Sequence, residues 1–176
     1  MDALEVSKLV LLLLVMLAVV LDFLCYRISN RLIAAGMVLA LVLGYAQGGV
    51  QQMLFVLRNM SFPVIALYLF YRMRAIGAGD VKLFSMIGGF LNFRQIVWCV
   101  VLSFVLGAVI SLGKMLIDGT LYNGLLEGGS YIWGLMGGKW QEYRPAGYTK
   151  DHVIHFSLAI LLGMLAVLIG GKYGLF

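Results

Sequence analysis

Residues 6–24 read VSKLVLLLLVMLAVVLDFL, and this stretch decides the class of fold. It carries no charged side chain between Lys8 and Asp22. A helix of about 20 mostly apolar residues is long enough to cross a bilayer, so the stretch predicts a transmembrane helix. No small-residue cleavage site follows it, and we therefore expect a retained helix and not a removed signal peptide.

The chain as a whole is also strongly apolar. Of its 176 residues, 62% are hydrophobic and only 12% are charged, and the mean hydropathy is +1.00. Soluble domains are typically about 45–50% apolar and about 25% charged. One small globule cannot bury such an excess, so lipid has to cover it. We predict an all-α, polytopic membrane helix bundle that forms a single domain over residues 1–176.

Apolar runs separated by polar or glycine-containing breaks predict about six transmembrane helices. The runs span residues 6–24, 32–45, 52–71, 81–91, 96–112 and 153–169. The fourth run is short, and Pro63 is a candidate kink site in the third. Residues 118–151, rich in Gly, Trp and Tyr, predict a cytoplasmic or interfacial loop.

Basic residues fall mainly between the apolar runs and account for the net charge of +5. They occupy alternate breaks: Arg27 with Arg31, Arg72 with Arg74, and the segment 114–150. Cationic loops tend to face the cytoplasm, so the pattern predicts a multi-pass protein of the cell membrane with both termini outside. The charge therefore indicates topology, and we expect a lipid partner and no nucleic-acid partner.

Metal and redox chemistry are not expected. Cys25 and Cys99 are isolated and form no C-x-x-C pair. His152 and His155 are three residues apart and share a helix face, but no third ligand pattern accompanies them. We interpret both histidines as interfacial polar residues and predict no metal and no cofactor.

Two acids lie at the ends of apolar runs. Asp22 comes five residues before Arg27, so it lies about 7.5 Å deeper along a helix. Asp80 ends the segment GAGD (residues 77–80) and precedes the apolar run 81–91. Each has a structural interpretation: Asp22 as an interfacial acid paired with Arg27, and Asp80 as a helix N-cap.

The two acids are more informative together than apart. Both fall on the predicted cytoplasmic side, so they share one depth in the membrane. Two facing carboxylates can share one proton, so that one activates a water while the other donates a hydrogen bond to a scissile carbonyl. The neighbouring glycines would allow an extended substrate backbone to approach closely. This pairing predicts intramembrane aspartyl proteolysis by Asp22 and Asp80.

Two motifs carry a family resemblance. Residues 22–30, DFLCYRISN, resemble the D-x(4)-R-I-x-N signature of type IV prepilin peptidases, and residues 77–83, GAGDVKL, resemble their G-x-G-D-x-K-L signature. The two acids are 58 positions apart (80 minus 22), and the segment between them holds two predicted helices, as in that family. The resemblance is close over residues 22–90 and rests on helix count elsewhere.

The resemblance implies an aspartic endopeptidase that removes the short basic leader of prepilin-like precursors at the cytoplasmic membrane face. Flp-type pilins, pseudopilins and preflagellins are such precursors, each with a basic leader and a hydrophobic helix. By position, Asp22 and Asp80 are the catalytic pair, and Gly77 and Gly79 shape the active-site loop.

Arg27, Asn30 and Lys82 also match family positions, without an assigned chemical step. We interpret them as residues near the site or near the substrate.

The sequence also departs from the family pattern. Ser29 stands where the family often has proline, which predicts a looser turn before the second helix. The segment KDHVIH (residues 150–155) replaces a Pro-rich apolar motif. The four-cysteine segment of members that also methylate their product is lacking, so the chain resembles the short peptidase-only members of tight-adherence pilus and preflagellin systems. We therefore expect cleavage without N-methylation.

Two other functions are compatible with part of the pattern. A small transporter or channel could use the same Asp pair as a proton or cation relay, although it would not require the Arg-Ile-x-Asn segment after Asp22. An inactive assembly subunit is less consistent with the sequence because both acids are retained.

Overall fold

The computed structural model describes residues 3–73, 75–117 and 156–174, and all regular structure within these ranges is helical. The helices are α1 (Ala3–Cys25), α2 (Asn30–Arg72), α3 (Ala78–Gly88), α4 (Phe93–Ile117) and α5 (Phe156–Lys172). This confirms the predicted all-α fold. The predicted loop 118–151, Arg74, His152 and His155 lie outside the described residues.

Three of these helices, α1, α2 and α4, are long and apolar enough to cross a membrane, and α5 is a shorter apolar helix. Their outward surfaces are apolar as well, with Leu13, Ile65 and Val105 all exposed. A contiguous apolar exterior of this kind is expected of a protein whose solvent is lipid.

Helix α2 is a hairpin made of two arms, residues 30–47 and residues 50–72. The backbone angles inside it are non-helical at Gly48 and Gly49, not at Pro63. Gly49 has φ 63° and ψ −151°, a conformation open to glycine and strained for other residues. The predicted break between the second and third apolar runs is thus confirmed.

The two arms pack against each other in antiparallel fashion. Ala40 of the first arm forms a small buried cluster with Val56 and Met60 of the second. At Gly44, a Cβ atom would lie only 2.8 Å from Val56 Cγ2, so the absence of a side chain permits the close approach.

Helix α3 corresponds to the fourth apolar run and occupies the centre of the bundle. Its 11 residues extend about 16 Å, roughly half the thickness of a bilayer core, so it cannot cross alone. Leu83, Phe84, Met86 and Ile87 are fully buried. Gly88 ends the helix against the second arm of α2, where a Cβ atom would lie 2.5 Å from the backbone oxygen of Asn59.

Reciprocal hydrogen bonds between Asn92 and Gln95 cap the start of α4. The Gln95 amide donates to Asn92 Oδ1 at 2.8 Å, and the Asn92 amide donates to Gln95 Oε1 at 3.3 Å. The predicted limits of this helix, 96–112, were wrong at both ends because capping and backbone hydrogen bonding extend it beyond the apolar run. Lys114 therefore lies inside α4 and does not terminate it.

Candidate active site

Asp22 lies in the last turn of α1, at one end of the bundle. The next connection begins with Tyr26, whose φ of 52° is the left-handed conformation that commonly ends helices. Ser29 then caps α2 with φ −66° and ψ 121°. That φ is close to the value that proline imposes, so serine at the family's proline position adopts a backbone conformation that is also open to proline. The looser turn expected from this substitution stays a prediction.

Asp80 is the third residue of α3, and the N-cap of that helix is Gly77. The interpretation of Asp80 as an N-cap was therefore wrong. The Gly77 amide instead hydrogen-bonds to the Asp80 carboxylate, as an acid at the third position of a helix does in a capping box. A Cβ atom at Gly77 would lie 3.1 Å from Asp80 Oδ2, so a side chain there would crowd the carboxylate.

The two sequence motifs meet in space. A Cβ atom at Gly79 would be in ordinary contact, 3.6 Å, with Ile28 of the connection between α1 and α2. Lys82 Nζ donates to Asn30 Oδ1 at 3.0 Å on the exposed side of the same contact. Arg27 is exposed on that connection. The start of α3 therefore packs against the segment that follows Asp22.

Sequence reasoning missed Ser157. Its hydroxyl donates to Asp22 Oδ2 at 2.6 Å, and its side chain is 0% exposed. The residue lies in the first turn of α5, 135 positions from Asp22. No local motif marks it, because a serine at the start of an apolar helix has no distinctive sequence pattern.

The electrostatic environment of Asp80 links it to Asp22. Asp80 lies outside the three membrane-long helices, at the entrance to α3. Burial is the main cause that raises the pKa of Asp80 to about 6, the negative charge of Asp22 adds to the rise, and the Gly77 hydrogen bond opposes it. Two carboxylates that interact in this way favour a state in which one of them keeps a proton.

A cavity of about 860 Å³ opens beside Asp80. Its polar rim includes Arg72 and Ser111, and its apolar wall includes Phe104 and Phe156, whose rings are 5.6 Å apart. Cavities of this size accommodate small ligands or a short stretch of peptide. Over the described ranges, no group of three or more His, Cys, Asp or Glu side chains could hold a metal ion.

Fold and site together define an all-α membrane protein that holds two interacting acids beside an open cavity. Residues 9–112 match the sequence model of the type IV leader peptidase family, more than half of the 176 residues. The chain belongs to that family and is therefore a peptidase of the type IV leader peptidase kind, as the two motifs predicted. Searches of curated proteins and of solved structures found no match.

Proposed function

We propose that this chain is an aspartic endopeptidase of the cell membrane that removes the basic leader from type IV prepilin-like precursors at the cytoplasmic face. The observation that carries the proposal is that the two Asp-containing motifs pack against each other at one end of the bundle, where Gly79 lies against Ile28. Both acids lie inside the segment that matches the family. Membership of a peptidase family favours this function over a proton or cation relay.

The proposed chemistry gives each acid a different role. We assign Asp80, whose raised pKa makes it easier to protonate than an ordinary aspartate, as the acid that donates a hydrogen bond to the scissile carbonyl. The Asp22 carboxylate then removes a proton from a water whose oxygen attacks the carbonyl carbon. Collapse of the tetrahedral intermediate breaks the C–N bond, and a proton passes to the departing amine.

The substrate class is supported by the cavity. Phe104 and Phe156 form an apolar wall beside Asp80, which suits the hydrophobic segment that follows the leader in prepilin-like precursors. The Gly77 backbone also lines the cavity, so an extended peptide can approach without meeting a side chain there.

Co-expression with candidate precursors tests the activity directly. We expect N-terminal sequencing to find each substrate shortened at the junction between its basic leader and its hydrophobic segment. Flp-type pilins, pseudopilins and preflagellins should be tried in parallel. Precursors of all three kinds that stay full length in the presence of the folded chain would refute the proposal.

The proposed orientation can be tested with native Cys25, which is exposed three residues after Asp22. In a Cys99→Ala background, we expect an impermeant thiol reagent to label Cys25 in inside-out vesicles and not in intact cells. A control variant lacking both native cysteines and carrying Gln51→Cys, exposed near the α2 hairpin turn, should show the opposite pattern. Labelling of Cys25 from outside would reverse the topology.

We also propose that the product is not N-methylated by this chain. The described connections inside the matched segment are a few residues long, which leaves no space there for a domain that binds S-adenosylmethionine. Mass spectrometry of a precursor processed by the purified chain, with S-adenosylmethionine present, provides the test. An added methyl group on the new N-terminus would contradict the proposal.

A further inference from the structure

The buried serines of this protein differ in what their hydroxyls bind. Ser103 Oγ donates to the Cys99 carbonyl at 2.7 Å, and Ser85 Oγ donates to the Met60 carbonyl at 2.7 Å. Both therefore bind backbone, as serines inside membrane helices often do. Ser157, equally buried, donates to a carboxylate instead, at 2.6 Å from Asp22 Oδ2.

The start of α5 is fixed by packing with two other helices. The ring of Phe156 contacts Phe84 of α3 and Phe104 of α4, with centroid separations of 6.3 and 5.6 Å. Gly107 of α4 allows this fit, since a Cβ atom there would lie 2.5 Å from the Phe156 ring. The helix core therefore determines where the Ser157 hydroxyl sits.

We propose that Ser157 is a positioning residue that holds the Asp22 carboxylate in the orientation required for proteolysis. A short hydrogen bond to an ionised group is among the stronger ones in proteins, and it fixes the carboxylate rotamer. Ser157 lies 45 residues beyond the matched segment (157 minus 112), so the family match assigns it nothing. The inference rests on the proposed peptidase function and adds a residue of α5 to it.

Steady-state kinetics of the purified full chain on a prepilin-like substrate test this role. For Ser157→Ala we expect kcat to fall about 10- to 100-fold, the effect of losing a hydrogen bond to a charged group, while KM stays within about twofold. The matched control is Ser103→Ala, which removes an equally buried hydroxyl that binds backbone. Its kcat should stay within about twofold of the wild type.

Other results of this experiment would distinguish failure of the positioning role from failure of the peptidase proposal. An unchanged kcat for Ser157→Ala, or a fall no larger than that of Ser103→Ala, would overturn the positioning role. A fall in kcat accompanied by a lower melting temperature than that of Ser103→Ala would overturn it too, because the serine would then be a packing residue. A wild-type chain that cleaves no precursor would refute the peptidase proposal itself.

A second, independent observation lies at the opposite end of the bundle. Arg58 lies eight residues into the second arm of α2, about 12 Å along the helix from residue 50. Its guanidinium carbon is 5.2 Å from the ring centroids of both Phe55 and Phe93. Its Nε and Nη2 donate to Asn59 Oδ1 at 3.4 and 3.3 Å. These contacts orient the exposed guanidinium beside the two rings.

Arg58 lines a cavity of about 470 Å³, and none of the described residues that line it is an Asp or Glu. Lys8 also lines it, but its ammonium is paired with Glu5 at 2.8 Å. Guanidinium has five N–H donors, and among the described residues the bonds to Asn59 use two of them. The remaining polar lining is neutral, with Gln47, Gln52 and Gln95 among it.

We infer that this cavity binds the phosphate of an anionic phospholipid headgroup. Charge complementarity selects an anion, and guanidinium forks bind phosphate oxygens well. The cavity lies between membrane-long helices whose outer surfaces are apolar, so a headgroup whose acyl chains lie on those surfaces fits better than a free ion.

Native mass spectrometry of the full chain in detergent tests the inference, with phosphatidylglycerol and phosphatidylcholine as probes. We expect retention of phosphatidylglycerol to exceed that of phosphatidylcholine and to fall about tenfold in Arg58→Gln. Arg94→Gln is the matched control, because Arg94 is exposed at the same end and does not line the cavity. Equal losses in the two variants, equal retention of the two lipids, or displacement of the lipid by millimolar inorganic phosphate would each overturn it.

Discussion

The two ends of the helix bundle use polar side chains in opposite ways. At the acidic end, defined by Asp22, Asp80 and Ser157, the polar atoms include two carboxylates that interact through their charges. At the amide end, defined by Asn59, Asn92 and Gln95, the polar groups bind one another and nearby backbone. The first arrangement brings two acidic side chains together, whereas in the second the side chains of Asn59, Asn92 and Gln95 are bonded to protein atoms.

The amide end shows how neutral polar residues stabilise a fold. Asn59 is 6% exposed and donates from Nδ2 to the Leu91 carbonyl at 2.9 Å, which ties the second arm of α2 to the connection between α3 and α4. Gln47 donates to Ser7 Oγ at 3.1 Å and links the hairpin to α1. Neutral amides suit this task because burying them costs much less than burying a charge. Substitutions at the acidic end should therefore affect cleavage, and those at the amide end should affect stability.

The largest expected effect is at the acidic end. Asp22→Asn and Asp80→Asn should each reduce leader cleavage by at least about 10³-fold, because each removes an ionisable group while keeping the shape of the side chain. Glu5→Gln, an acid near the opposite end of α1, should leave cleavage within about twofold. Cleavage is measured on a purified precursor, with membrane insertion checked for each variant. Substantial cleavage by either Asp variant would contradict the assignment of cleavage to the acidic end.

The second effect is on stability, near the amide end. Gly88→Ala should lower the free energy of unfolding by about 1–3 kcal/mol, because the new Cβ atom would meet the Asn59 backbone oxygen at 2.5 Å. Gly113→Ala in α4 has nothing within 4 Å and should be neutral or stabilising by up to about 1 kcal/mol. Thermal unfolding in detergent compares the two. A destabilisation of equal size in both variants would contradict the close packing of α3 on α2.

A smaller effect is expected on the melting temperature, because the folded state disfavours ionisation of Asp80. The pKa of Asp80 is raised from 3.8 to about 6, so the folded state disfavours the ionised form. Its contribution to stability is fully present below about pH 4 and is lost as pH rises through about 6. Asp80→Asn should therefore raise the melting temperature at pH 7 to 8 by a few degrees. The difference should shrink toward pH 4, and a constant difference across this range would exclude a protonation effect.

The smallest effect concerns the exposed contact between the two motifs. Lys82→Ala should reduce cleavage less than about fivefold, because an exposed hydrogen bond contributes about 1 kcal/mol or less. Asn30→Ala should have the same effect, and the double variant should be no worse than either single one. Kinetic assays of the three variants provide the measurement. Additive losses would mean that the two side chains act separately.

Much of the fold could be predicted from local sequence. Apolar runs and their breaks located the helices, including the hairpin turn at Gly48 and Gly49 and the boundary at Asn92. Hydropathy and turn preference belong to single residues and short segments, so they can be assigned before any packing is known. The order and spacing of the two Asp-containing motifs likewise identified the family.

Other features could be decided only by tertiary structure. That Asp80 is the third residue of α3 and not its cap depends on where the helix starts once Gly79 packs against Ile28. The contact between Ser157 and Asp22 joins residues 135 positions apart, and no pattern within either segment encodes it. Sequence alone therefore determined the helices, the two acids and the family. Packing decided how α5 reaches Asp22, because hydrogen bonds between distant residues exist only where the folded helices bring the atoms together.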